Sequence, residues 1–264
     1  MISRRKAFSW CGVGGLLLVL GGVLPGRVIE AVPRQDAVVA RYAKDLPAAW
    51  GERLEGVRTR LATTDRVLAL TLDACGGEYD EELVAFLIRE RIPATLFLTG
   101  RWIDRHPREA AALVQNPLFE IANHGENHRP ASVTGRRAYG IAGTKSPREF
   151  AEELLISDAK LRALGVPAPR YYRSGTNFYD DVALAMAAEL GYEVVGYAVA
   201  GDGGATFSRE QVKATVLRSR PGDIILCHMN RPRGDTAEGL TEALPLMIRE
   251  GFRFVTLSAY PLRD

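Results

Sequence analysis

Three of the four histidines in this 264-residue chain fall in two short segments that could belong to one active site. His124 and His128 are four residues apart, and His228 ends an apolar run. Imidazole is the commonest protein ligand of catalytic metals, and it exchanges a proton near neutral pH. Two imidazoles at this spacing can reach one cation if the segment is helical or forms a turn. The distribution predicts an enzyme with His124 and His128 as metal ligands.

Three charged residues, like the histidines, come directly after apolar or aromatic segments of the chain. Asp73 follows an apolar run and precedes two glycines, Arg173 follows two tyrosines, and Asp202 follows another apolar segment. A lone aspartate at such a position can simply cap the next turn. Because His124, His128 and the other charged residues recur after strand-like segments, we interpret Asp73, Arg173, Asp202 and His228 as catalytic.

Strand-like and helix-like segments alternate along the chain and must position these residues. Apolar runs predict strands, and amphipathic stretches with capping signals predict helices. The predicted strands cover 67–72, 94–98, 119–122, 171–172, 193–199, 223–227 and 252–257, and the predicted helices 80–91, 109–115, 146–164, 180–190, a segment from 208, and 236–249. A lead-in over 34–65 is expected to hold one helix and an irregular tail.

This alternation, repeated about seven times, predicts an α/β fold with a parallel sheet closed or nearly closed as a barrel. In such barrels the ends of the strands meet at one face, where active sites are built. Every candidate residue follows a predicted strand. The long connection 129–145 comes directly after the histidine pair, and a loop of that length is expected to be functional.

Composition is that of a globular protein. Hydrophobic residues make up 47% of the chain, and 34 basic against 32 acidic residues give a net charge of +2. No block of like charge suggests a nucleic-acid partner. Cys75 and Cys227 flank candidate site residues, and whether they pair is left open by the sequence.

The N-terminal residues have the pattern of an export signal, in which a basic segment at 3–6 precedes an uncharged stretch at 7–26. An uncleaved anchor is the alternative, since ~20 uncharged residues can just span a bilayer. We expect residues 1–31 to be a signal peptide or anchor, 32–64 the lead-in segment, and 65–264 the catalytic domain. The expected location is the periplasm or cell envelope, with membrane contact only through 7–26.

The ordered segments resemble the polysaccharide deacetylases of carbohydrate esterase family four, the NodB-like domain. The similarity runs in order from about residue 67 to 257. The residues that carry it are Thr71-Leu72-Asp73-Ala74 in the first motif, His124 and His128 in the second, Arg173 and Gly175 in the third, Asp202 near Phe207 in the fourth, and Ile225-Leu226-Cys227-His228 in the fifth.

The resemblance implies a distorted (β/α)7-type barrel. It also implies a metal-dependent hydrolase that removes N-acetyl groups from an envelope or extracellular polysaccharide. A divalent metal, zinc by ligand chemistry, would be held by His124 and His128 and would bind water and the acetamide oxygen. Asp73 would be the general base beside Arg173, and His228, supported by Asp202, would protonate the leaving amine.

One position departs from the family pattern, because Ala74 stands where the family has an aspartate that ligates the metal. Three replacements are open. Asp73 could ligate directly and also act as base, which we favour, or Cys75 could supply a thiolate. The third option is a carboxylate from Glu78, Asp80 or Glu126. The alternative functions are a metal-independent or small cyclic amide hydrolase of the same superfamily and a catalytically silent glycan-binding barrel.

Overall fold

The computed structural model describes residues 35–264, so the predicted signal or anchor lies outside the described residues. The helices are α1 Gln35–Arg41, α2 Glu81–Arg89, α3 Gly100–Arg105, α4 Pro107–Gln115, α5 Pro147–Ala163, α6 Asp181–Glu189, α7 Arg209–Val216 and α8 Thr236–Arg249. The strands are β1 Trp50–Gly51, β2 Arg60–Leu61, β3 Val67–Ala74, β4 Ala94–Leu98, β5 Phe119–Asn123, β6 Arg137–Ala138, β7 Ile141–Ala142, β8 Tyr171–Tyr172, β9 Tyr179–Asp180, β10 Glu193–Val194, β11 Val199–Ala200, β12 Ile224–His228, β13 Arg253–Phe254 and β14 Leu262–Arg263.

A parallel sheet forms the centre of the fold, with strand order β10-β8-β5-β4-β3-β12-β11. β13 pairs with the first two residues of β3. All eight residues of β3 are buried, as expected for a strand covered on both faces. In the register of β3 and β12, Asp73 lies opposite His228, which places two candidate catalytic residues side by side.

The sheet curves so that its two edge strands lie near one another. β10 and β11 are at opposite ends of the strand order, yet only residues 195–198 separate them. The five backbone steps from Val194 to Val199 span at most about 18 Å. The edges are therefore held close together, and the predicted distorted (β/α)7-type barrel is confirmed.

Side chains of β3 alternate between the two faces of the sheet. Leu68, Leu70, Leu72 and Ala74 pack in the core shared with residues of α2, α4, α7 and α8. Val67 and Ala69 belong to a second core inside the curve of the sheet. With a period of two, Asp73 falls on the inner face and Ala74 on the face covered by helices. The carboxylate of Asp73 is thus presented on the inner face of the sheet.

Some elements differ from the prediction. The segment 193–199 forms two short strands, because the carbonyls of Val195 and Gly196 between them accept hydrogen bonds from Arg173. Only Arg253–Phe254 of the predicted last strand is extended, and a 3-10 helix follows at Leu257–Ala259. Helix α3, whose first turn is capped by Thr99, was not predicted.

The lead-in is joined to the barrel by strand pairing. In addition to the expected helix it contains β1, which pairs with β9, and β2, which pairs with β14. No helix within residues 35–264 is both long and apolar enough to cross a membrane.

Candidate active site

A buried ion pair joins Asp73 at the end of β3 to Arg173 after β8. The Arg173 guanidinium donates to Asp73 Oδ1 at 2.7 Å and to the Thr71 hydroxyl at 3.0 Å. Its other nitrogens donate to the carbonyls of Val195 and Gly196 at 3.1 and 2.8 Å. Arg173 is fully buried and Asp73 is 3% exposed. Because a buried charge requires such complete hydrogen bonding, Arg173 fixes the orientation of the Asp73 carboxylate.

His124 lies against the second oxygen of this carboxylate. Its Nδ1 is 2.9 Å from the Arg173 carbonyl, so that nitrogen is assigned the proton and Nε2 is left as the free donor atom for a ligand. Nε2 is 3.4 Å from Asp73 Oδ2 and 3.6 Å from Cys75 Sγ. Burial by itself would lower the pKa of His124, but the Asp73 charge and Cys75 outweigh it and raise the pKa.

His128 sits in a tight turn with a left-handed backbone, φ +61°. Its ring lies 5.0 Å from the His124 ring at an angle of 82°. A Cβ on Gly175 would come within 2.2 Å of the His128 carbonyl carbon, so only glycine allows this approach. The buried Glu153 of α5 accepts from the backbone N–H groups of Asn127 and Arg129, at 2.7 and 3.1 Å, and so holds both neighbours of His128.

Cys75, His124 and His128 bring their ligating atoms within 4.8 Å of one another. Burial opposes ionisation of the Cys75 thiol, but the charges of His128 and His228 and a hydrogen bond from His124 lower its pKa well below the usual value. Two imidazoles and a thiolate form a donor set suited to zinc. Our sequence interpretation ranked Cys75 behind Asp73 as third ligand, although its place two residues after Asp73 was a visible signal.

The other carboxylates considered as third ligand have different partners. Asp80 caps helix α2 through the Leu83 N–H, and Glu126 forms an ion pair with Lys160 at 2.5 Å. Glu78 lies 3.4 Å from Arg233. That Asp73 is the third ligand stays a prediction. The cluster of ligating atoms in the structure contains the Cys75 thiol instead.

His228 and Asp202 form a second buried pair across the strand ends. His228 Nδ1 is 3.0 and 3.1 Å from the two Asp202 oxygens, and its backbone N–H donates to the same carboxylate at 2.7 Å. Thr236 donates to it as well, at 3.1 Å. Burial would lower the pKa of His228, but the charge on Cys75 and the hydrogen bond to Asp202 raise it well above the usual value. Burial likewise opposes ionisation of Asp202, but the bond to His228 lowers the pKa of that carboxyl.

One open cleft of about 530 Å³ is lined by Asp73, Cys75, His128 and His228, and the other site residues lie behind it. Its lining residues are Asp73, Cys75, His128, Tyr139, Ile141, Gly175, Thr176, Asn177, Tyr197, Ala200, Gly203, Gly204, Leu226, His228, Asn230 and Arg231. Neither cysteine among residues 35–264 forms a disulfide: Cys75 faces the cleft, whereas Cys227 belongs to the core beneath the helices. The fold therefore brings all six predicted site residues to one end of the barrel, the end where α/β barrels carry their active sites.

The similarities to known proteins agree with this geometry. Residues 60–195 match the family model described as polysaccharide deacetylase. The peptidoglycan-N-acetylglucosamine deacetylase of Bacillus cereus is 26% identical over 76% of this chain and 91% of its own length. An uncharacterized protein of Streptomyces coelicolor is 30% identical over 93% of this chain and 91% of its own length.

Among solved structures, a family 4 carbohydrate esterase pseudoenzyme of Bacillus anthracis superposes with a TM-score of 0.64. It is 21% identical, and the match covers 76% of this chain and 67% of that chain. The superposition shows that the two proteins share a fold. This chain belongs to the polysaccharide deacetylase family, and it is a deacetylase-type hydrolase acting on carbon–nitrogen bonds other than peptide bonds.

Proposed function

We propose that this protein uses a divalent metal to hydrolyse N-acetyl groups of an envelope or extracellular glycan, giving acetate and a free amine. The observation that carries the proposal is the pairing of Asp73 with His228. They are register partners on adjacent strands, and both line the cleft beside Cys75 and His128. A base and an acid are thereby held beside a cluster suited to a cation.

Cys75, His124 and His128 would hold the metal, and their donor atoms fit zinc. When bound, such a metal supplies a Lewis acid for the acetamide carbonyl and lowers the pKa of water. The clustering of the thiol with both imidazoles supports Cys75 as the replacement for the aspartate missing at Ala74. Asp73 is then available as base, with one oxygen fixed by Arg173.

Each catalytic side chain has one atom held and one atom free. Asp73 Oδ1 is held by Arg173, so Oδ2 can take a proton from the attacking water. His228 Nδ1 is held by Asp202, which leaves Nε2 to donate a proton to the departing amine. The water oxygen bonds to the acetyl carbon as one water proton passes to Asp73. The C–N bond then breaks as His228 gives its proton to the nitrogen, which leaves acetic acid and the free amine. Asp73 is then protonated and His228 neutral, and transfer of one proton from the first to the second through solvent restores the site.

The substrate class is inferred from the relatives. One is named a peptidoglycan-N-acetylglucosamine deacetylase, and another, 25% identical over 65% of this chain and 79% of its own length, is named a chitooligosaccharide deacetylase. Both names specify glycans with acetylated amino sugars. The pattern of residues 1–31 supports export of the protein to the periplasm or cell envelope. Anchoring through residues 7–26 stays a prediction.

A catalytically silent barrel was the alternative raised by the sequence. The loss of a family ligand at Ala74 would fit it, and one structural neighbour is a pseudoenzyme. The presence of two ion pairs in the site, Asp73 with Arg173 and Asp202 with His228, favours the enzyme. A protein that only binds glycan has no use for either pair.

The test is acetate release from peptidoglycan and from N-acetylated chitooligosaccharides, with metal content measured on the same preparations. We expect the wild type to release acetate, and Asp73→Asn and His228→Asn each to lower the rate by about 10²–10⁴-fold. His106→Asn is the matched control, because His106 bonds the Gly77 carbonyl outside the cleft lining. Wild-type inactivity on every substrate, or rates within a few-fold in both variants, would reject the proposal.

A further inference from the structure

Cys75 lies one residue beyond the end of strand β3, where the sheet no longer fixes the backbone. The last pair in the register of β3 and β4 is Ala74 with Leu98. Two glycines follow Cys75, and glycine has the greatest backbone freedom of any residue. Gly76 has a φ of +148°, a value that favours glycine. The direction of the Cys75 side chain therefore depends on contacts from other parts of the chain.

Two side chains at the start of α3 hold the backbone of Cys75. Arg101 Nε donates to the Cys75 carbonyl at 2.8 Å, and the Thr99 hydroxyl lies 3.1 Å from the same oxygen and from the Ala74 carbonyl oxygen. A Cβ on Gly76 would come within 2.5 Å of Arg101 Nε, so the glycine allows the guanidinium to approach. Thr99 is fully buried, whereas Arg101 is exposed. The peptide group that follows Cys75 is thus held by donors from one short helix.

The same helix also holds the turn between the two predicted histidine ligands. The backbone N–H of Gly100 donates to the Gly125 carbonyl at 2.9 Å, and that of Arg101 donates to the Glu126 carbonyl at 3.0 Å. A Cβ on Gly100 would come within 1.7 Å of Glu126 Oε2, so only glycine allows this approach. Arg101 therefore bonds the histidine turn with its backbone and the Cys75 carbonyl with its side chain.

We propose that Thr99 and Arg101 are positioning residues that keep the Cys75 thiol beside the two histidine ligands. This rests on the proposed function, in which Cys75 is the third metal ligand, and it names the groups that set the place of that ligand. Neither residue lines the cleft, so both act through the backbone of Cys75. Changing a group that orients a metal ligand typically lowers metal affinity by about 10–100-fold. Because water can reach the exposed Arg101, its effect should lie at or below the lower end of that range.

Absorption spectra of the cobalt-substituted protein test the proposal, because Co²⁺ bound to a thiolate absorbs in the near ultraviolet through charge transfer from sulfur. We expect this band in the wild type and not in Cys75→Ser. Arg101→Met keeps the length of the side chain but removes the donor, whereas Arg101→Gln keeps an N–H donor at the position of Nε. Arg101→Met should reduce the band per bound cobalt and weaken zinc affinity by about three- to tenfold. Arg101→Gln should keep the band and hold zinc affinity within about twofold of the wild type.

A second pair of variants tests the buried hydroxyl. Thr99→Val should reduce the band and weaken zinc affinity by about tenfold, because the Cys75 carbonyl loses a donor that water cannot easily replace. Thr99→Ser retains the hydroxyl and should stay within about twofold of the wild type. Thr99 also caps α3, so the melting temperature of the metal-free proteins is measured as well. A lower melting temperature in Thr99→Val with an intact cobalt band would show a role in stability alone and overturn the positioning role of Thr99.

Arg89→Met is the matched control, since Arg89 on α2 bonds its neighbour Glu90 at 3.1 Å away from the cleft lining. Its cobalt band and zinc affinity should equal those of the wild type. A full band with zinc affinity within twofold in both Arg101→Met and Thr99→Val, or an equal loss in Arg89→Met, would overturn the inference. A wild type without the band would reject Cys75 as a ligand, and the inference with it.

The outcome for catalysis is separate. A cobalt band that depends on Arg101, in a protein that releases no acetate from any substrate, would keep the inference and reject the proposed catalysis. Acetate release by a protein whose band does not depend on Arg101 or Thr99 would keep the catalysis and reject the inference.

Discussion

The two sides of the cleft are built in different ways. The floor is defined by five residues at the ends of strands of the parallel sheet. Asp73 and His228 belong to β3 and β12, and the other three come shortly after β5, β8 and β11: His124, Arg173 and Asp202. All five are buried or nearly so, and each charge lies against a group of opposite charge or a hydrogen-bond partner.

The tyrosine rim, defined by Glu52, Tyr139 and Tyr197, comes from loops and is half-buried or exposed. Its bonds join a carboxylate to neutral hydroxyl groups. In the floor, losing one partner leaves a buried charge, which is costly; in the rim, water can replace a lost partner. Substitutions in the floor should therefore alter chemistry and metal binding, whereas those in the rim should alter recognition of the glycan chain.

The largest expected effect concerns the thiol beside the floor. Cys75→Ser should lower zinc affinity by at least about 10²-fold, because a hydroxyl is a far poorer zinc ligand than a thiolate. Zinc titration against a competing chelator measures it. Cys227→Ser is the control, since Cys227 lies in the core under the helices. Equal zinc affinity in Cys75→Ser and wild type would show that Cys75 is not a ligand, and would favour Asp73 as the third ligand.

The second-largest effect is expected at the ion pair of Asp202 and His228. Since Asp202 raises the pKa of His228, Asp202→Asn should lower that pKa. Activity that needs protonated His228 is present below its pKa and lost as pH rises through it. The alkaline limb of the pH–rate profile should thus move to lower pH, and the rate at neutral pH should fall by about 10–10²-fold. An alkaline limb that stays in place would assign it to a group other than His228.

The floor was predictable from the sequence because the C-terminal ends of the strands in a parallel barrel meet at one face, independently of the conformation of the loops between them. Asp73 and His228 could be placed at the same face of the barrel in this way from two apolar runs, although not as neighbours. The rim could not be predicted. Glu52 meets Tyr139 across 87 residues and Tyr197 across 145, through loops whose path depends on tertiary packing. Arg173 shows the same limit, because its bonds to two carbonyls split a segment whose apolar pattern predicted one strand.

Glu153 supports the turn that carries His128 without lining the cleft, and its substitution should have an intermediate effect. Burial raises the pKa of this carboxyl despite the hydrogen bonds from Arg129 and Asn127. In Glu153→Gln one oxygen remains to accept from the backbone, but the new amide meets the Asn127 side-chain nitrogen, which also donates. The turn that carries His128 should loosen and zinc affinity should fall by about tenfold.

Glu152→Gln is the control on the same helix, because Glu152 is less buried and does not bond the turn. Zinc affinities of the two variants within a factor of two would show that Glu153 does not position His128.

The smallest effect is expected in the rim, at Gly140. A Cβ there would meet nothing within 4 Å, so Gly140→Ala adds no clash and only the strain of an L-residue at φ +76°, about 1 kcal/mol. The strain falls on a two-stranded hairpin at the surface, which can loosen without unfolding the barrel. The melting temperature should fall by no more than about 3 °C, and release of acetate from a single sugar should be unchanged. Affinity for the N-acetylglucosamine tetramer should fall by about two- to threefold, because Tyr139 is positioned less firmly. If Gly140→Ala slowed the single-sugar reaction as much as the tetramer reaction, the rim would be part of the catalytic machinery, and the division between floor and rim would not hold.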